Sequence, residues 1–253
     1  MFQKNFYKGS LKALAMLSAM AFASASSAAI VSYSTDFESN PLNPNPIGDG
    51  WLGFINQFDE FNNYAGGYVY PIGTTDQVAN INTSEGGASQ GAQVLSVYSD
   101  YENRTFMTNG NPGAVETNVY QDQGLINPSQ VGEIWSLSFD AKQGNITGTA
   151  SANAFVKILD AGFQPVPGGL ITLDTSEGAL STDWNRYSIT FEVLPNFANQ
   201  RLQFGFSTLT GNDVPSGNFY DNVNLSAVPV PAAVWLFGSG LIGLIGIARR
   251  NKS

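Results

Sequence analysis

The sequence predicts an all-β protein: an antiparallel β-sandwich, preceded by an N-terminal signal helix and followed by a single C-terminal transmembrane helix. Three observations lead there. Apolar and polar residues alternate in several short runs, and turn-forming residues punctuate those runs. No amphipathic helix of useful length occurs between Ile30 and Ala227.

The strands expected from this pattern are Val31–Phe37, Gln93–Tyr98, Ala114–Tyr120, Glu133–Ala141, Ala152–Leu159, Asn185–Val193, Arg201–Ser207 and Asn218–Leu225. In the fourth, Trp135, Leu137 and Phe139 fall on one face and Ile134, Ser136 and Ser138 on the other. The same period of two recurs in Tyr187–Val193 and in Leu202–Phe206. Asn109-Gly110-Asn111-Pro112-Gly113, Pro165-Val166-Pro167-Gly168-Gly169 and Thr210-Gly211-Asn212-Asp213 read as turns. The stretch from Trp51 to Tyr70, crowded with aromatic and amide side chains, reads as a loop. There is no internal repeat.

The two ends are of different character. Met1 to Lys12 is basic, Leu11 to Ala23 is mostly apolar, and Ala25-Ser26-Ser27-Ala28-Ala29 supplies small residues. This is the pattern of a secretory signal, with signal peptidase cleaving after Ala29. At the other end, Val228-Pro229-Val230-Pro231 precedes 17 residues without a charge, Ala232 to Ala248, and then Arg249-Arg250-Asn251-Lys252-Ser253. As a helix rising ~1.5 Å per residue the uncharged run spans about 25 Å, enough for a thin bilayer. The basic cluster after it would stay cytoplasmic. Three domains follow: signal peptide 1–29, sandwich 30–227, and C-terminal segment 228–253.

This tripartite end resembles the PEP-CTERM sorting signal of Gram-negative bacteria, with Val230 where that family has Glu. The resemblance implies a transient anchor in the inner membrane and processing by an exosortase near Pro229–Pro231. Delivery to the outer surface or an extracellular matrix, in association with exopolysaccharide and biofilm, would follow. A plain tail anchor is the other reading of the same residues.

Composition narrows the chemistry. The segment between the two ends carries five basic residues against 20 acidic ones, a net charge of −15. That argues against nucleic acid as a partner, which needs a basic footprint. It suits either solubility alone or oxygen ligation of a hard cation. The chain has neither Cys nor His, so disulfides, thiolate nucleophiles, imidazole-based triads and sulfur or imidazole zinc sites are excluded.

The order of features in the sandwich resembles the carbohydrate-binding jelly rolls of the galactose-binding-like superfamily, especially CBM4/9-type modules. The residues that carry it are Asp36-Phe37-Glu38-Ser39-Asn40, then Trp51 and Gly91-Ala92-Gln93-Val94-Leu95-Ser96-Val97. Val119-Tyr120-Gln121, Trp135 to Lys142, Asp183-Trp184-Asn185-Arg186-Tyr187 leading into Thr190-Phe191, and Gly217 to Leu225 complete it. It implies that the first and last strands pair and bring Glu38 close to Asp221. It also implies a structural Ca2+ held by Glu38 and Asp221, with Asp36 a third ligand; the alternative is that Asp221 caps a turn and Glu38 is solvated.

Sugar recognition needs aromatic faces and hydrogen-bonding amides or carboxylates. Tyr64, Tyr68 and Tyr70, with Asn62, are the candidate exposed contacts for an extracellular polysaccharide. Trp51 and Trp184 read as packing residues. No catalytic residue is assigned, because no carboxylate pair stands out and the mature domain lacks a Ser nucleophile motif and a phosphate-binding glycine loop. Three functions stay open: a non-catalytic polysaccharide binder, a structural or adhesive matrix protein that binds protein partners, and a polysaccharide hydrolase or lyase.

Overall fold

The computed structural model describes residues 29–42, 47–59, 61, 63–70, 79–99, 113–145, 150–176, 178–211 and 216–229. Residues 1–28 of the signal segment, the apolar run 232–248, the basic tail with Arg249 and Arg250, and Val230, Pro231 and Asn62 lie outside them. Among the described residues no helix is long and apolar enough to cross a membrane.

Among the described residues twelve strands form two antiparallel sheets, the sandwich that the alternation predicted. They are β1 Tyr33–Thr35, β2 Leu52–Phe58, β3 Tyr64–Tyr70, β4 Ala79–Asn82, β5 Val94–Ser99 and β6 Ala114–Leu125. Then come β7 Ile134–Gln143, β8 Ser151–Leu159, β9 Pro165–Asp174, β10 Asn185–Glu192, β11 Arg201–Gly211 and β12 Ser216–Ala227. The first sheet runs β10-β7-β12-β5-β4, with β1 also paired to β12. The second runs β3-β2-β6-β11-β8-β9. Most sequence-adjacent strands therefore have different neighbours, as jelly-roll topology requires.

The inward faces pack on one core. Trp135, Leu137 and Phe139 are all buried, as their alternation required. The rings of Phe206 on β11 and Tyr220 on β12 stack at 3.8 Å and tie the two sheets together. Phe139 meets Phe206 edge-on at 5.2 Å, and Trp51 stacks on Phe206 at 6.1 Å. The Tyr220 hydroxyl shares a hydrogen bond of 3.0 Å with Thr175 Oγ1, which satisfies a polar tip inside the core.

Two expectations are corrected. The Trp51–Tyr70 stretch is mainly a hairpin, β2 and β3, at the edge of the second sheet rather than a loop. Pro165–Gly169 is not a turn but opens β9, the opposite edge strand. Proline lacks the ladder donor, yet an edge strand tolerates it because one side of the strand has no partner. Dense aromatics and proline hid the period of two in both places.

Candidate functional site

Two polar clusters lie off the hydrophobic core. The first sits where the sandwich closes. Strand β1 pairs with the end of β12, Tyr33 opposite Leu225 and Thr35 opposite Val223, which is the closure the sequence implied. Just beyond β1 the chain turns sharply at Phe37, a non-glycine residue at φ +57°. Its ring is fully buried, 5.8 Å from Trp51, while Asp36 and Glu38 on either side remain exposed. On β12 the ladder to β7 is interrupted between Asp221 and Asn224, and Asn222 has φ +47°. Two such backbone outliers at one spot cost of order 1–3 kcal/mol each and mark a constrained site.

Glu38 Oε1 accepts hydrogen bonds from the backbone N–H of Ala92 and of Gln93, both at 2.7 Å. Gly91, at φ +63°, leaves the room this carboxylate occupies, since a Cβ there would collide with it. Asp140 is amply satisfied: it accepts from Gln90 Nε2 and Asn222 Nδ2, each at 2.8 Å, and from Arg186 Nη1 at 3.1 Å. Asp221 is not. It is fully buried, its Oδ1 accepts from the Asn222 N–H at 2.6 Å, and its Oδ2 has no hydrogen-bond partner. Burial pushes the Asp221 carboxyl up to about 8, and the negative charges of Asp140, Asp36 and Glu38 push the same way against the Asn222 hydrogen bond. Beside it, Ser34, Asp36, Asp140, Arg186, Asn222 and Asn224 line a shallow cleft of about 490 Å³.

The structure thus brings Asp36, Glu38 and Asp221 into one electrostatic neighbourhood. Among the described residues no three carboxylates converge closely enough to form a metal centre by themselves. An oxygen without a donor, in surroundings that disfavour its charge, does match what a hard cation corrects. Asp140, Arg186, Gln90 and Asn222 were missed in the sequence, because their meeting depends on strand pairing across sequence separations of up to 82 residues.

The second cluster is on the outward face of the other sheet. Register places Tyr120, Gly205 and Phe155 side by side on β6, β11 and β8. Asn118, Ser207 and Asn153 form the next row on one side, and Asp122, Gln203 and Lys157 the next on the other. Leu52, Phe54 and Asn56 extend the face on β2. Gly205 and Ser207 are small and their neighbours are bulkier, so the face is low along β11, a shallow groove in which β6 backbone fills the place of a side chain at Gly205, since a Cβ there would meet Val119 O and Tyr120 Cα. Its floor is buried (Asn118, Gln203, Ser207, Phe155), its sides are half-buried (Phe54, Asn56, Glu116, Tyr120), and Leu52 and Leu170 at its margins are exposed. Asn56 Nδ2 donates to Glu116 Oε2 at 2.6 Å, and Arg201 pairs with Asp122 at 2.6 Å.

The tyrosines singled out from the sequence fare differently. Tyr64 is exposed and meets Phe58 edge-on at 6.1 Å. Tyr68 is corrected: it pairs opposite Ile55 and packs, partly buried, against the core, because it shares the inward parity of that residue. The backbone of Tyr70 pairs with Gly53. Trp51 is buried, as expected, and Trp184 donates to the Glu85 carbonyl at 3.1 Å. Tyr120 and Phe54 were not singled out as contacts, because an aromatic residue in an alternating strand belongs to either face until the register is known.

Fold and clusters together define an all-β jelly-roll domain with a strained, carboxylate-rich closure and a groove on one sheet. No protein-family model matches the sequence, and no curated protein matches it. Similar solved structures include the CBM22-1 xylan-binding domain of Paenibacillus barcinonensis Xyn10C, at 12% identity and TM-score 0.42, covering 81% of this chain and 97% of that one. A cyclase from Fischerella sp. TAU is similar at 14% identity and TM-score 0.46, covering 79% of this chain and 99% of that one. The CBM22-1–GH10 modules of Clostridium thermocellum Xyn10B match at 15% identity and TM-score 0.42, over 80% of this chain and 29% of theirs.

Proposed function

We propose that this is a non-catalytic, exported surface protein that binds extracellular polysaccharide along the β11 groove. The observation that supports this reading is the groove itself. It sets the half-buried rings of Tyr120 and Phe54 beside amide and carboxylate groups on a rigid sheet. Ring faces take up the apolar faces of sugars, and fixed polar groups read hydroxyls. The two carboxylates nearest the floor are each engaged, Glu116 by Asn56 and Asp122 by Arg201, which suits holding a ligand rather than cleaving it.

A calcium ion at the closure is part of the proposal. Asp221 Oδ2 and the Glu38 carboxylate would hold it, with backbone carbonyls completing the six to eight oxygens calcium takes. Its role is structural: it neutralises Asp221 and fixes the Phe37 and Asn222 turns. The signal segment and the Val228–Ser253 end support export from a Gram-negative cell, transient anchoring in the inner membrane and exosortase processing.

The test is calorimetric titration of the full chain, in mild detergent, against a panel of neutral and acidic polysaccharides, with calcium and with chelator. Saturable binding to at least one polymer is expected, falling about tenfold or more in Tyr120→Ala, the order of one lost stacking contact. Absence of binding across the panel would overturn the reading.

A further inference from the structure

Lys157 stands out in the groove. Its Nζ donates to Asn118 Oδ1 at 2.8 Å and lies 4.0 Å from the centroid of the Phe155 ring. To reach Asn118 it passes from the Asp122–Gln203–Lys157 row across the Tyr120–Gly205–Phe155 row, over the ring and past the one position there without a side chain. The three other cations among the described residues each pair with a carboxylate: Lys142 with Glu85, Arg186 with Asp140 and Arg201 with Asp122. Lys157 pairs with none. The nearest candidate, Glu116, is held by Asn56.

Asn118 carries the complementary deficit. It is 3% exposed, and its Nδ2 has no hydrogen-bond partner. Its orientation is not interchangeable, because an ammonium can only donate and so fixes Oδ1 toward Lys157. The amide N–H groups and the remaining ammonium hydrogens are therefore spare donors at adjacent atoms, with no acceptor between them. A hydroxyl both donates and accepts; a site built of donors alone fits a group that only accepts.

We propose that Lys157 and Asn118 form a subsite for the carboxylate of a uronic acid, so that the polymer bound in the groove is an acidic glycan. This rests on the groove being the polysaccharide site. The cation is partly desolvated: burial lowers the Lys157 ammonium from its ordinary value, while the charge of Glu116 opposes that fall. A single carboxylate set against Lys157 Nζ and Asn118 Nδ2 supplies the missing counter-charge and the missing acceptor at once. The domain is acidic overall, so attraction is confined to this spot rather than spread over the surface.

The experiment compares a uronan such as polygalacturonate with the same polymer after chemical reduction of its carboxyl groups, and with a sulfated polymer, by titration of the full chain. The expected result is binding of the uronan, at least tenfold weaker binding after carboxyl reduction, and a similar loss in Lys157→Met with an unchanged Tm. The reduced polymer needs no variant, so a Lys157→Met protein that fails to fold leaves the test intact. Equal binding of native and reduced polymer would overturn the carboxylate subsite and keep the sugar groove. Binding of the sulfated polymer alone would overturn the uronate assignment. Binding of no polymer would overturn both readings.

Discussion

The two polar clusters are opposites. At the closure an acceptor, Asp221 Oδ2, is buried without a donor and surrounded by negative charge. In the groove a donor, Asn118 Nδ2, is buried without an acceptor beside an unpaired ammonium. Buried polar groups are nearly always satisfied, and leaving one unmade costs about 1–3 kcal/mol. This difference in sign underlies the two proposals: a cation at the first, an anion at the second. Their settings also differ. The closure is bound up with two backbone outliers and the pairing of β1 with β12, so its completion should act on stability. The groove lies on the outward face of a sheet, away from the closure, so its completion should act on binding.

The largest effect that can separate the two is on thermal stability. Calcium at a hundredfold excess over its Kd would stabilise by about 2.7 kcal/mol, which for a domain of this size raises Tm by roughly 5–10 °C. Differential scanning calorimetry with calcium and with chelator measures it. Asp221→Asn should abolish the rise, and since the buried carboxyl it replaces is held mainly protonated at neutral pH, its Tm in chelator should stay close to that of the parent. A calcium shift that survives in Asp221→Asn would move the ion elsewhere.

The pH dependence has a definite sign. The folded carboxyl of Asp221 lies at about 8 against an ordinary 3.8, so the folded state holds its proton more tightly than the unfolded state. Its contribution to stability is complete below the ordinary value and is lost as pH rises toward 8. Protons and calcium compete for the same oxygen. The calcium-induced rise in Tm should therefore be larger at pH 8 than at pH 5.5, and Asp221→Asn should remove that difference.

Glu38→Gln is a milder probe of the closure. The amide oxygen can still accept from Ala92 and Gln93, so only the charge is lost. A fall in calcium affinity of about tenfold, or 1.4 kcal/mol, is expected from titration, with the fold intact. At the groove, Asn118→Ala should have the smallest effect on stability, because it deletes an unsatisfied donor along with a single acceptor; a Tm change within about 2 °C is expected, 0.5 kcal/mol or less. Uronan binding should nevertheless weaken in that variant. If instead Asn118→Ala lowered Tm by more than Asp221→Asn, the assignment of stability to one cluster and binding to the other would be reversed.

Legibility in the sequence was uneven for a physical reason. The buried trio Trp135, Leu137 and Phe139 was visible because a half-buried strand alternates with period two. Strand β9 was not, because an edge strand relaxes the constraints on proline and glycine that elsewhere identify a turn. At the closure, Asp36, Glu38 and Asp221 were named from the order of features, and the structure places them in one neighbourhood, whereas Asp140 and Arg186 sit in ordinary strands and look like solvated charges. Among the aromatics, Tyr64 is exposed as expected, Tyr68 was placed on the wrong face, and Tyr120 was not singled out as a contact.

By itself the sequence determined the all-β class, the burial of the alternating strands, the exclusion of thiol and imidazole chemistry, and the unlike character of the two ends. These are properties of composition and local period, which act within one strand. The tertiary structure decided which strands adjoin and in what register. Only that pairing sets Gly205 between Tyr120 and Phe155, lets Lys157 reach Asn118, and leaves Asp221 Oδ2 without a donor. A period of two assigns a residue to a face of its own strand; the partners it meets across that face are chosen by contacts far away in the chain.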